Sequence, residues 1–197
     1  MSPDKATLAA YAARLDEYVR LMDGQLDGPA LAAFIGGLRG GAHVLDLGCG
    51  PGWAAERMAA AGLTVEATDA SPEMVAVAAR RKGVTARVAT FDDIAGTDIY
   101  EGIWAHFSLL HAPRADMSRH LATLRRALKP GGLIHIGMKT GTGEHRDDLG
   151  RFYTYYTVDE LHGLLTAAGF VPFSSRTGRD KGLAGRPEDW IEIAAHG

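Results

Sequence analysis

Three glycines at every second position, Gly48, Gly50 and Gly52, follow an acid in the run Val44-Leu45-Asp46-Leu47-Gly48-Cys49-Gly50-Pro51-Gly52. With no Cβ in the way, such a backbone can pass close to a ligand. A helix-like stretch begins at Trp53, and the free N–H groups of a helix start face outward. This spacing suits the recognition of a small polar ligand at the carboxyl end of a strand. A second acid, Asp69, stands about 20 residues beyond Gly48, where open α/β folds place the acceptor for a ribose diol. Together they point to a ribose-containing cofactor. A nicotinamide dinucleotide would want its third glycine at position 53, and Trp53 argues against it.

The elements that must hold these residues can be read from periodicity. Apolar residues at three- and four-residue steps predict a helix over 4–22, and a second over 29–38 starts at Pro29 and stops at Gly40-Gly41. Strands and helices then alternate. Strands are expected at 44–47, 64–68, 86–89, 102–105 and 133–138, with helices at 53–61, 72–82 and 113–128. Gly62 and Gly83 end two of these helices, and Ser71-Pro72 opens one as cap and first helical residue. Lys129-Pro130-Gly131-Gly132 reads as a turn, and 140–150 as a mobile loop. After a helix over 157–168, strands 170–176 and 190–195 are joined too tightly for a crossover and should pair antiparallel. The expectation is α/β: a doubly wound, mostly parallel, seven-stranded sheet with an antiparallel last strand.

Bulk properties narrow the class. The 197 residues suit one domain, 1–197, with an N-terminal helical part, 1–41, and an α/β core, 42–197. Apolar residues make up 46%, enough for a core. A net charge of −3 without a basic block speaks against nucleic acid as a partner. One cysteine fits a reducing compartment, and no apolar run is long enough to span a membrane. The first residues lack a basic-then-apolar leader, so a cytoplasmic protein is expected. The eight histidines show no H-E-x-x-H spacing, and no metal is expected.

The run Asp46–Gly52, with Asp69 and the segment Leu128-Lys129-Pro130-Gly131-Gly132-Leu133, resembles the class I S-adenosylmethionine-dependent methyltransferases. The small bacterial members are similar, including those labelled tellurite-resistance-like. The resemblance implies S-adenosylmethionine as cofactor and S-adenosylhomocysteine as product. Gly48, Gly50 and Gly52, with Cys49 between them, would lie against the methionine and ribose, and Asp46 would hold the ammonium. Asp69 and Ala70 would meet the ribose, and Met74 the adenine. The acid slot after strand three falls on Thr90, a departure from the family, so Phe91 and Asp92 are the substitutes. Tyr11 and Tyr18 resemble lid residues, and Ala105 and His106 would border the methyl group.

Methyl transfer needs a general base only when the acceptor arrives protonated. His106 and His111 are the catalytic candidates, because histidine titrates near neutrality. Arg146, Arg151 and Tyr153 could orient an acceptor, for instance an anionic one. The expected function is in-line methyl transfer to a small molecule. The rivals are a non-catalytic S-adenosylmethionine-binding module, an NAD(P)-dependent oxidoreductase, and methyl transfer to protein or RNA.

Overall fold

The computed structural model describes residues 3–23 and 28–197. Its centre is a seven-stranded sheet built from β1 (His43–Leu47), β2 (Thr64–Asp69), β3 (Thr85–Val88), β4 (Tyr100–His106), β5 (Leu128–Lys139), β8 (Val171–Lys181) and β9 (Pro187–His196). The order is β3-β2-β1-β4-β5-β9-β8, and β9 alone runs against its neighbours. The expected sheet and its antiparallel last strand are therefore present. The chain winds outward from β1 to β3 and then returns to β4 on the other side. That reversal opens a crevice at the carboxyl ends of β1 and β4.

Alternation along the strands splits the core into two layers. Leu45, Leu47, Ile103, Ala105, Ile134 and Ile136 pack beneath α6 (Arg114–Ala127) and α7 (Val158–Ala167). Val44, Trp104 and Leu133 pack on the opposite face with α3 (Pro29–Gly36) and α4 (Trp53–Ala60). Local chemistry sets the helix starts. The Ser71 hydroxyl accepts from Met74 N–H at 3.2 Å to cap α5 (Pro72–Ala78), and Thr157 and Glu160 form a capping box at α7.

Three expectations need correction. The helix predicted over 4–22 is two, α1 (Lys5–Ala12) and α2 (Leu15–Asp23), broken by a turn in which Arg14 N–H bonds the Tyr11 carbonyl. The break brings the Tyr11 and Tyr18 rings edge to face at 5.1 Å. Lys129–Gly132 lies within β5, where the pairing with β4 shifts register between Tyr100 and Gly102 and Gly131 takes a φ of +72°. The segment predicted as a loop over 140–150 contains β6 (Glu144–Arg146), which pairs antiparallel with β7 (Phe152–Thr154).

Candidate functional site

Two adjoining cavities open at the crevice. The first, about 340 Å³, is bounded by Gly48, Gly50, Asp69, Met74, Phe91 and His111. The second, about 400 Å³, is bounded by Asp46, Trp53, Trp104, His106, Arg151 and Tyr153. Tyr11, Tyr18, Gly48, Gly50 and Phe107 border both, so the glycine turn is the ridge between them. Phe107, just past β4, holds a φ of +53°, a backbone strain of roughly 1–3 kcal/mol for a bulky residue. Its N–H bonds the Gly137 carbonyl at 2.9 Å, which helps to hold it there.

The three glycines do different work. Gly48 has a φ of +71°, and a Cβ there would stand 2.3 Å from the Cβ of Ser108. Gly50, with a φ of +52°, faces the Tyr18 ring, which a Cβ would approach to 3.5 Å. Gly52 borders neither cavity. A Cβ on it would stand 2.7 Å from the Ala78 Cβ, so its bareness lets α4 start against α5. Gly52→Ala should therefore lower stability by roughly 2–4 kcal/mol, from the left-handed backbone and overpacking together. Urea unfolding measures this, and the folded variant should keep near wild-type ligand affinity. Lost affinity at unchanged stability would return Gly52 to the ligand.

Asp69 ends β2 with its carboxylate in the first cavity. It accepts from Gly50 N–H at 2.9 Å and Ser71 N–H at 2.8 Å. Burial raises its pKa against the pull of those N–H groups. Asp46 is 2% exposed and borders the second cavity. Burial, then the nearby Asp69 charge, pushes its pKa up to about 7, and its Oδ2 has no partner. Ser108 Oγ, Asp116 Oδ2 and His120 Nδ1, around the first cavity, are likewise buried without a hydrogen bond, His120 Nδ1 standing 3.8 Å from Asp92. A cluster of unpartnered polar atoms is what a site shaped for a polar ligand would leave.

The other candidates distribute as follows. Ala70, Met74, Phe91, Asp92 and His111 reach the first cavity. Asp92 is ion-paired with Arg119, while Thr90 and Asp93 cap the turn after β3. Cys49 and His106 are in the second cavity only. Ala105 reaches neither; alternation along β4 turns it into the core on the opposite face from Trp104 and His106. Arg146 is bound by Asp4 at 2.8 Å and Arg151 by Asp147 at 2.6 Å, so neither is a free cation awaiting an acceptor.

The two histidines are neutral at pH 7. Burial drives His106 to about 3 and His111 to about 4. His111 Nδ1 bonds the Phe152 carbonyl at 2.6 Å and therefore carries the proton. Its Nε2 is left to accept from the Tyr11 hydroxyl at 3.0 Å, which in turn accepts from Arg151 at 3.1 Å. His106 Nδ1 faces His135 Nε2 at 3.1 Å. His135 and Glu192 escaped sequence reasoning, because only the pairing of β4, β5 and β9 brings them beside His106. Trp104, one position before Ala105, could have been found from the period of two along β4.

Residues 44–132 match the family model described as a methyltransferase domain. A ubiquinone biosynthesis O-methyltransferase from Xanthomonas oryzae pv. oryzae is 36% identical over 104 residues, 49% of this chain and 42% of that protein. One from Cereibacter sphaeroides is 29% identical over 175 residues, 76% of this chain and 66% of that protein. The chain thus spans about two fifths of the length of the Xanthomonas relatives it matches. Among solved structures, the 1,6-didemethyltoxoflavin-N1-methyltransferase of Burkholderia thailandensis, bound to 1,6-didemethyltoxoflavin and S-adenosylhomocysteine, is 25% identical with a TM-score of 0.75. The match covers 97% of this chain and 88% of that one. An S-adenosylmethionine-dependent methyltransferase from Methanosarcina mazei superposes with a TM-score of 0.74 at 19% identity, over 86% of this chain and 97% of that one. Residues 44–132 thus carry a methyltransferase domain, on a sheet shared with S-adenosylmethionine-dependent methyltransferases of known structure.

Proposed function

We propose that the protein transfers a methyl group from S-adenosylmethionine to a small, flat aromatic acceptor. The observation that carries this is the pair of cavities divided by Gly48 and Gly50, with Asp69 in one and the unpartnered Asp46 Oδ2 in the other. S-adenosylmethionine supplies a methyl already activated by its sulfonium. Asp69 and Met74 would hold the adenosyl end in the first cavity. Asp46 would meet the ammonium at the ridge, and Tyr11 and Tyr18, bordering both cavities, would exclude water.

The acceptor reading rests on the second cavity. Trp53, Trp104 and Tyr153 give it flat apolar walls. Three of the four cations that border it are paired, Lys139 with Glu188, Arg151 with Asp147 and Arg176 with Glu192; with Lys181 they face the carboxyl groups of Asp46, Asp180, Glu188 and Glu192, so shape rather than net charge would select the acceptor. The pairing of Arg146 with Asp4 and of Arg151 with Asp147 argues against an anionic acceptor held by those two arginines. The names of the relatives, an O-methyltransferase for a quinone precursor route and an N-methyltransferase for a heteroaromatic, support an aromatic ring.

His106 would face the acceptor, while His111 would fix the Tyr11 hydroxyl. As neutral imidazoles they orient by hydrogen bonding rather than by charge. No helix among the described residues is long and apolar enough to cross a membrane. The buried Cys49 thiol, its pKa raised by burial, suits the reducing cytoplasm we assign.

Calorimetry should show binding of S-adenosylmethionine and S-adenosylhomocysteine and no binding of NADH. A panel of phenols and nitrogen heterocycles, followed by S-adenosylhomocysteine release, should then yield turnover. Absence of binding by either adenosyl compound would end the proposal. Turnover confined to aliphatic acceptors would end its aromatic part.

A further inference from the structure

His106 and Glu192 on the wall of the second cavity meet His135 behind them, and the methyl-transfer reading uses only His106 of the three. His106 on β4, Gly137 on β5 and Glu192 on β9 stand side by side in register. The glycine leaves open space above the sheet; a Cβ there would stand 2.9 Å from His106 Nδ1. His135, two residues back on β5, shares that face. His106 Nδ1 is 3.1 Å from His135 Nε2 and 3.9 Å from Glu192 Oε1, and the three donor atoms all lie within 4.8 Å of one another.

We infer that His106 Nδ1, His135 Nε2 and Glu192 Oε1 form a mononuclear site for a divalent transition-metal ion of the zinc class. Two imidazoles and one carboxylate suit such ions, and three protein donors leave one position for water or substrate. Bonds of about 2.1 Å in a tetrahedron place donor atoms about 3.4 Å apart, so side-chain rotations that move donor atoms by about 1 Å or less each bring these three to a metal.

The surroundings are arranged for it. Arg176 occupies Glu192 Oε2 through two N–H groups, at 3.1 and 3.0 Å, and leaves Oε1 turned to His106. The Trp104 ring stacks on His135 at 3.8 Å and 14°, which holds the imidazole plane. An ion has two approaches. His106 and Glu192 border the second cavity, while His135 and Glu192 border a third, about 410 Å³, beside α3. The site itself does not depend on methyl transfer. On the methyl-transfer reading, its open position would bind an acceptor hydroxyl and favour its ionised form. The lack of any ligand spacing along the chain is no obstacle, since three separate strands supply one donor each.

The competing arrangement is metal-free: a histidine–histidine hydrogen bond beside a Glu–Arg ion pair. The full chain, freed of any affinity tag and treated with chelator, is dialysed against zinc and then metal-free buffer, and zinc is counted by elemental analysis. About one zinc per chain is expected, with affinity falling at least tenfold in His135→Gln and in Glu192→Gln. Thermal melting reports folding in each variant independently of the methyltransferase reading, and S-adenosylhomocysteine binding, held on that reading by Asp69 and Met74 in the first cavity and by Asp46 beside it, is measured alongside. Should His135→Gln lose that binding through misfolding, Glu192→Gln decides alone. Less than a tenth of an equivalent on wild type, or zinc retained undiminished by a folded variant, overturns the site.

Discussion

Asp69→Ala should weaken S-adenosylhomocysteine binding by roughly 10²- to 10⁴-fold. A carboxylate has about four acceptor positions, and Gly50 and Ser71 take two. The remaining two would serve the ribose hydroxyls. Each hydrogen bond to a charged acceptor contributes roughly 1.5–3 kcal/mol, which gives the range for two. A second effect works the same way: without Asp69 the Gly50 N–H loses its partner, and the ridge between the cavities loosens. Asp69→Asn keeps one acceptor oxygen and should fall between wild type and alanine. Calorimetry measures the affinities, and melting of the ligand-free proteins separates lost binding from lost folding. Wild-type affinity in a folded Asp69→Ala protein would remove Asp69 from the site.

Asp69 and the turn before α4 were legible because each answers a local demand. A strand that ends in an acid some 20 residues after a glycine turn has few other uses, and positive φ at Gly48 and Gly50 excludes most side chains. The same signal is ambiguous at Gly52, because close approach to a ligand and close approach to a neighbouring helix both call for a missing Cβ. Ala105 was lost to a similar ambiguity. Proximity in sequence to the end of β4 does not say which face of the sheet a residue takes. The division of the first helix at Ala13-Arg14 carries no glycine or proline to announce it. The histidines were legible as residues but not as acids, since their neutrality comes from burial that only the folded chain creates. The His106–His135–Glu192 group was out of reach for a further reason: its members meet only through the strand order β4-β5-β9.

Asp46 should make both stability and cofactor affinity depend on pH, in opposite directions. Its carboxyl, ordinarily at 3.8, stands at about 7 because burial and then the Asp69 charge penalise the ionised form. Between those values the folded state binds more protons than the unfolded chain, so the ligand-free protein loses stability as pH rises through this window. The full displacement is worth roughly 4 kcal/mol, an upper figure that relaxation around the site will reduce. An ammonium against Oδ2 reverses the preference and favours the ionised carboxyl. S-adenosylhomocysteine should therefore bind close to tenfold more tightly at pH 7.5 than at pH 6, with proton release at the lower pH. Asp46→Asn should raise the ligand-free stability at pH 7.5, bind more weakly there, and lose the pH slope. Calorimetry in buffers of different ionisation heat counts the protons, and urea unfolding at the two pH values gives the stability arm. The carboxyl of Asp69, also raised by burial, is the competing source. A slope that persists unchanged in Asp46→Asn would assign the coupling to Asp69 and take the ammonium away from Asp46.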